Sequence, residues 1–490
     1  MALACGKRSV ACVTEHGDVW AFGKGPRGLV EEEETDRPPP KPASVCGGGA
    51  LFDGDPVVLV SAGAQHMASV TKSGLVWTWG ESKYGQLGHG DRERKPGPTL
   101  LANEAHGGHP ALMAACGDNH TLILTSAMQV WSFGASQDGR LGHGHLEQQL
   151  VPVLLVGELF RKVRIVMVAA GAYHNVALAE GGRVWTWGSH KFWQLGHSGQ
   201  DCDVLVPKML PASICDGQVP VLVAAGGYHT AVVTVLGDAW VCGCGSSGQL
   251  GLGNSRRQCE LIRVAVKDES QVLMAACGRH HTMLLLKNGS VWSFGDVTSG
   301  ALGLGNRHQL VGRTVRILYA FLPERIDAQR FDNAHIASIA CGDGHSAALT
   351  NLGALYTWGT GVSLGYDDEY NSLDQPSGAS HKFVPRPIVH FLPDGLRIGC
   401  HFDMDSLFAL AFAMGTHPRL GNGASVGPVD ADVSLRKKGK LPVSHNNTKP
   451  CPISFLSTEL VRLIIQYHTR PQGPIALLEG VVRLLGGTMS

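Results

Sequence analysis

Residues 117–134, GDNHTLILTSAMQVWSFG, return in outline as GAYHNVALAEGGRVWTWG at 171–188 and as GRHHTMLLLKNGSVWSFG at 278–295. Aligned on the glycine of G-x-x-H, copies begin at Gly63, Gly117, Gly171, Gly226, Gly278 and Gly342, with successive starts 54, 54, 55, 52 and 64 residues apart. Two looser copies begin at Gly6, where Ser9 stands in the histidine position, and at Gly399, where His401 comes one residue early. Self-similarity at a fixed period marks a repeat architecture, and missing it would miscall every element that follows.

The internal register is stricter than the period. Eleven residues after His66, His120, His174, His229 and His281 stand Trp77, Trp131, Trp185, Trp240 and Trp292; His345 leads by the same step to Tyr356, Ser9 to Trp20 and His401 to Phe412. Three residues further on there is glycine in all eight copies, from Gly23 and Gly80 to Gly359 and Gly415. Within a copy, HTLIL and VWSF are β-rich runs separated by turn residues, the pattern of an antiparallel hairpin. Trp77 and Trp79 are two apart, as are Trp185 and Trp187, which on a strand sends both rings to one face. Small residues precede the glycine, as in Ala115-Cys116, Ala170, Ala225 and Ala276-Cys277. A strand that is thin at one point and bulky at another fits a radial blade tapering towards a central axis. Four short strands per unit of about 55 residues therefore predict an all-β propeller rather than a helical solenoid.

The stretch AGAQHMASVTKSGLVWTWGESKYGQLGHG at 62–90 and its relatives across residues 1–423 resemble the repeats of the regulator-of-chromosome-condensation family, whose founder is the guanine-nucleotide exchange factor for Ran. The resemblance implies a seven-bladed β-propeller, with copies starting near 3, 60, 114, 168, 223, 275 and 339 and a closing copy at 396–423. In that family, strands from the two chain ends join within one blade. Eight hairpins are present here, so residues 3–13 and 399–415 compete for the closing position or one copy sits outside the ring.

Bulk composition narrows the function. The 490 residues carry 41 basic and 41 acidic side chains and are 44% hydrophobic, so a core can form and no net charge favours a polyanion. The 64 glycines point to many tight turns. Thirteen cysteines without a CxxC pair read as thiols of a reducing compartment, cytoplasmic and/or nuclear. Residues 1–30 do not read as a secretory signal, and no window of about 18 apolar residues predicts a membrane span. The family's founder binds chromatin with the help of a basic N-terminal arm. Here the first loop carries EEEETD at 31–36 instead, so binding to nucleic acid or chromatin is not expected.

A residue repeated around a ring is a poor catalyst, because an active site needs a unique constellation. His66, His120, His174, His229, His281 and His345 are therefore read as structural, like His89, His143 and His197 of the L-G-H turns and the repeat tryptophans. The pairs His280-His281 and His143-Gly144-His145 fall inside the repeat and are not taken as metal ligands. No catalytic residue, metal or cofactor is expected. The two positions between glycine and histidine vary more, and in the exchange factor acidic and histidine residues there contribute to engaging Ran. The resemblance thus points to Asp118, Asn119, Arg279, His280 and Asp343 as contacts for a protein partner, a small GTPase of the Ran, Rab or Arf type. Asp and Asn also suit an ordinary tight turn, and that reading stands beside the functional one. Trp193, outside the repeat register in HKFWQLG, is a candidate surface anchor. Plant ultraviolet-B receptors resemble this chain too, but they place tryptophans between the glycine and the histidine, where this sequence has none.

Residues 424–452, with RKKGK, read as a linker, and 453–490 as a short α-helical C-terminal segment. Leu456, Leu460, Leu463, Ile464 and Tyr467 share one helical face, with Ser457 as cap and Pro471 as stop; PIALLEGVVRLLGG reads as a second amphipathic helix. The first is loosely similar to the opening of an F-box. Similar propellers also occur in giant HECT-type ubiquitin ligases, although the stretch after 423 is too short for a HECT domain. A substrate-recognition or scaffold subunit linked to ubiquitination through these helices is thus the alternative to a GTPase regulator.

Overall fold

The computed structural model describes residues 3–23, 43–45, 51–155, 163–199, 202–305, 318–360 and 381–388. The chain divides into two units, Met1–Phe408 and Ala409–Ser490, and every described residue belongs to the first.

The described residues form seven four-stranded antiparallel sheets, blades I to VII, spanning 3–44, 57–101, 111–154, 165–209, 220–263, 272–325 and 336–387. In blade III the strands are Ala111–Cys116, His120–Thr125, Val130–Gly134 and Gln149–Leu154, paired in chain order. The first strands stand side by side around a central channel. Leu3–Cys5 of blade I lies between Val57–Ala62 of blade II and Ile336–Cys341 of blade VII, which closes the ring. The fold is an all-β, seven-bladed propeller; helical elements among the described residues are short 3-10 turns.

The repeat register becomes strand pairing. His120 lies opposite Gly134, as His66 does Gly80, His174 Gly188 and His281 Gly295. Gly134 needs its freedom twice over: its φ is 108°, and a Cβ there would stand 2.5 Å from the Asn119 carbonyl oxygen. The core lies in the seams between blades. Trp77 and Trp79 of blade II pack with Val13, Val19 and Ala21 of blade I, and Trp185 and Trp187 of blade IV with Leu122, Leu124 and Val130 of blade III. Trp79, Trp187 and Trp358, two residues beyond the aligned aromatic, are fully buried.

One implication of the resemblance is corrected. Each of the seven sheets uses four consecutive strands, and none among the described residues joins the two ends of the chain. The Gly6 copy makes blade I unaided. The Gly399 copy, the linker and the C-terminal segment lie outside the described residues.

Candidate protein-interaction face

The repeat histidines tie each blade to the next. The Nε2 of His66 meets Thr121 Oγ1 at 2.9 Å, His120 meets Asn175 Oδ1 at 2.7 Å, His174 meets Thr230 at 2.9 Å, His229 meets Thr282 at 2.8 Å and His281 meets Ser346 at 2.9 Å. The partner is always the residue after the next blade's histidine. Its own donor is already committed: Thr121 donates to the Gln86 carbonyl, Thr230 to Gln194 and Thr282 to Gln249, while the Asn175 amide donates to Arg140. Each oxygen can therefore only accept from the histidine, which fixes the neutral Nε2–H tautomer. Burial agrees, since it pulls the His66 pKa down to about 4 and those of His120, His174, His229 and His281 to about 3. At the closing seam Val10 offers no side-chain acceptor, and His345 reaches the Ser9 carbonyl at 3.3 Å. Between blades I and II the histidine and its acceptor are both missing, replaced by Ser9 and Met67.

Glycines make the waist of the channel. A Cβ on Gly63 would overlap the Gly117 carbonyl and the His66 ring, and Gly117, Gly171, Gly226 and Gly278 are hemmed in alike. On one side of this waist is an apolar cavity of about 230 Å³ that includes Leu3, Met113, Met167, Leu222 and Met274. On the other is a smaller one of about 90 Å³, bounded by Lys7, Asp118, Arg279 and Asp343. Cys5, Cys116, Cys277 and Cys341 line both. Burial pushes the Cys116 thiol up to about 12 and those of Cys277 and Cys341 well above their ordinary range, so they stay protonated small apolar groups.

Three of the residues singled out from sequence converge at the mouth of the channel. Arg279 of blade VI reaches Asp118 of blade III (Nη1 to Oδ2, 3.7 Å) and Asp343 of blade VII (Nε to Oδ1, 3.5 Å), and its Nη2 donates to the Tyr228 hydroxyl at 3.0 Å. Burial works against the guanidinium charge, but Asp343, Tyr228 and Asp118 together hold its pKa above the ordinary arginine value. Burial raises the Asp118 carboxyl despite the pull of Arg279. His280 faces Tyr228, with ring centroids 5.5 Å apart, and burial together with Arg279 lowers its pKa. Asn119 sits in the blade III turn, its carbonyl accepting the Ala135 N–H.

Sequence reasoning missed the aromatic shelf that leaves this mouth. Tyr173 stacks on Tyr228 (5.7 Å), Phe192 meets Tyr228 edge-on (4.8 Å), and Arg140, buried and paired with Asp138, lies over Tyr173. Tyr173 and Tyr228 occupy the variable positions of blades IV and V, where the absence of an acid drew attention away from them. Trp193 follows Phe192 in the chain, is 38% exposed, and is not among the residues that line the channel mouth. Among the described residues no three His, Cys, Asp or Glu side chains come together to hold a metal ion, and no helix is long and apolar enough to cross a membrane.

Comparison with known proteins agrees with this geometry. A family model for the RCC1-like domain matches residues 28–391. The chain belongs to the RCC1-like domain family. It is 34% identical over 372 residues to the ultraviolet-B receptor UVR8 of Arabidopsis thaliana, covering 76% of this chain and 80% of that protein. It is 29% identical to the regulator of chromosome condensation of Homo sapiens, covering 73% and 84% respectively. The E3 ubiquitin-protein ligase HERC2 of Homo sapiens shares 32% identity over 58% of this chain but only 6% of its own length. Among solved structures, Prp20p of Saccharomyces cerevisiae superposes with a TM-score of 0.61 at 21% identity, over 79% of this chain and 87% of that one. These relatives place the chain among protein-interaction propellers.

Proposed function

We propose that this RCC1-like propeller regulates a small GTPase, engaging it with the face that carries Asp118, Arg279, His280 and Asp343. The observation that carries the reading is the Arg279 guanidinium held between Asp118 and Asp343 at the channel mouth. It sets fixed, partly exposed charges on a rigid ring, as a loop-prying exchange factor requires, and asks for no covalent chemistry. Prp20p, a structural neighbour, binds Gsp1p and histones, and the regulator of chromosome condensation is a sequence relative.

The test is capture of purified Ran-, Rab- and Arf-type GTPases by the intact chain in EDTA, followed by release with GTP. The expected result is one GTPase retained without nucleotide, released by GTP, and lost when Arg279→Glu reverses the central charge. Retention of none, or retention indifferent to nucleotide, overturns the reading. A second reading, a recognition subunit in ubiquitination, draws support from the HERC2 match, because there the matched part is a small fraction of a ligase. Ubiquitin-ligase components co-purifying with the intact chain in place of a GTPase would favour it.

A further inference from the structure

Trp193 departs from what blades II, III, V and VI share. The register-equivalent positions after the third strand are Gly85, Gly139, Gly248 and Gly300, with φ of 78°, 72°, 77° and 75°; Trp193 adopts 66°. A bulky L-residue is disfavoured in this left-handed region, and such an outlier persists only where its surroundings impose it. In blades II, III and V the site is also crowded. A Cβ on Gly85 would strike Leu150, one on Gly139 would strike Leu205, and one on Gly248 would strike the Ala320 carbonyl and Phe321. Pairing of Gln258 with Gly243, matching Gln149 with Gly134 and Val204 with Gly188, puts Cys259 where those seams hold Leu150 and Leu205. A large residue replaced glycine and a small one replaced leucine across the same seam. The room so made is not used to bury the indole, since Trp193 is the one tryptophan of ten that is exposed.

Its neighbours carry charge. Phe192 lies 5.3 Å from the Arg257 guanidinium and 5.8 Å from the Lys191 ammonium, and Arg256 adjoins them. Lys191, Arg256 and Arg257 are exposed, and none is paired with a carboxylate among the described residues. An exposed indole next in the chain to an aromatic ring that carries two cations is a hot-spot composition.

We propose that Trp193, Phe192, Lys191, Arg256 and Arg257, on blades IV and V, form a docking site for an acidic peptide segment of a partner protein, its carboxylates meeting the cations and an apolar residue lying on the indole. A peptide fits better than a nucleic acid. Three cations on one small patch suit the few carboxylates of a peptide, whereas a nucleic acid gains affinity by having many phosphates neutralised along its backbone, and 41 basic against 41 acidic residues leave no net charge for that. The site adjoins the channel mouth through the Phe192–Tyr228 contact but does not require that the partner be a GTPase.

The experiment is selection from a random dodecapeptide display library on the intact chain, beside intact Trp193→Gly and Arg257→Glu variants whose folding is checked by thermal melting. Peptides combining Asp or Glu with an apolar residue should be enriched on the unaltered chain and lost on both variants. By fluorescence anisotropy, the leading peptide should bind each variant at least about tenfold more weakly. Trp193→Gly restores the residue used by other blades, so a folding failure is not expected to mask the result. Enrichment of neutral or basic sequences, equal binding by both variants, or tighter binding of a twelve-base oligothymidine than of the peptide overturns the proposal. An Arg279→Glu chain that loses GTPase capture but keeps the peptide separates this site from the proposed GTPase face.

Discussion

His120 of blade III donates its Nε2–H to Asn175 of blade IV across 2.7 Å, and the amide of Asn175 returns a hydrogen bond to the Arg140 carbonyl of blade III. The seam is thus closed by one side chain bonded in both directions, with no water-accessible atom to substitute for a lost partner. His120→Ala should destabilise the propeller by about 2–4 kcal/mol, combining a cavity with an orphaned buried acceptor. His66 and Thr121 allow a double-mutant cycle: His66→Ala and Thr121→Val should show a coupling of about 1 kcal/mol or more in denaturant unfolding. Additive effects would mean that the contact carries no energy.

Acid should unfold the ring. His66, His120, His174, His229, His281 and His345 are held neutral with pKa values of about 3 to 4, against an ordinary 6.5 when the chain unfolds. Between these limits the unfolded state binds more protons, so stability is full above pH ~6.5 and is lost as the pH falls towards 4. Each histidine contributes a slope of at most about 1.4 kcal/mol per pH unit. The thermal midpoint should drop steeply from pH 6.5 to 5 and stay level from 7 to 8; a flat profile through pH 5 would show that the histidines are not buried neutral.

The fold was legible because its signals are identities at fixed spacing: histidine, tryptophan eleven later and glycine three beyond that. The acceptor of each histidine was not. It is Thr121, Asn175, Thr230, Thr282 or Ser346, residue types that share only an oxygen, and its partner stands one repeat away. At the channel mouth, variation between copies drew attention to Asp118, Arg279 and Asp343. Their pairing is a product of ring closure, which sets blade III across from blade VI, and no local pattern encodes it. The deepest aromatics, Trp79, Phe133, Trp187, Phe294 and Trp358, likewise stand two residues beyond the aligned position, on the same strand face and next to the repeat glycine.

Two tryptophans with one neighbouring sequence context should respond in opposite ways. Trp187 is fully buried and donates its Nε1–H to the Arg140 carbonyl at 3.1 Å, so Trp187→Ala should cost about 3–5 kcal/mol. Trp193 is strained and exposed, so Trp193→Gly should leave the thermal midpoint unchanged or raise it, relieving about 1–2 kcal/mol of left-handed strain. A marked loss of stability in Trp193→Gly would show that the indole is a packing residue after all.

Arg279→Ala should expose what the guanidinium holds apart. Asp118 and Asp343 would then face the channel mouth without their shared cation, and burial already raises the Asp118 carboxyl. The variant carries its full penalty where Asp118 is ionised, at pH 8; as the pH falls towards the raised Asp118 pKa, its protonation removes one charge and relieves it. The groups are partly exposed, so the loss at pH 8 should be no more than about 1–2 kcal/mol. The difference in thermal midpoint between the variant and the unaltered chain should therefore narrow as the pH is lowered from 8 into the acid range, against the general acid destabilisation set by the histidines. Arg279→Lys keeps a cation and should show a smaller difference at pH 8. A gap that stays constant as the pH is lowered, or that widens in acid, would mean that Arg279 is held by Tyr228 and packing alone and that the two aspartates do not depend on it.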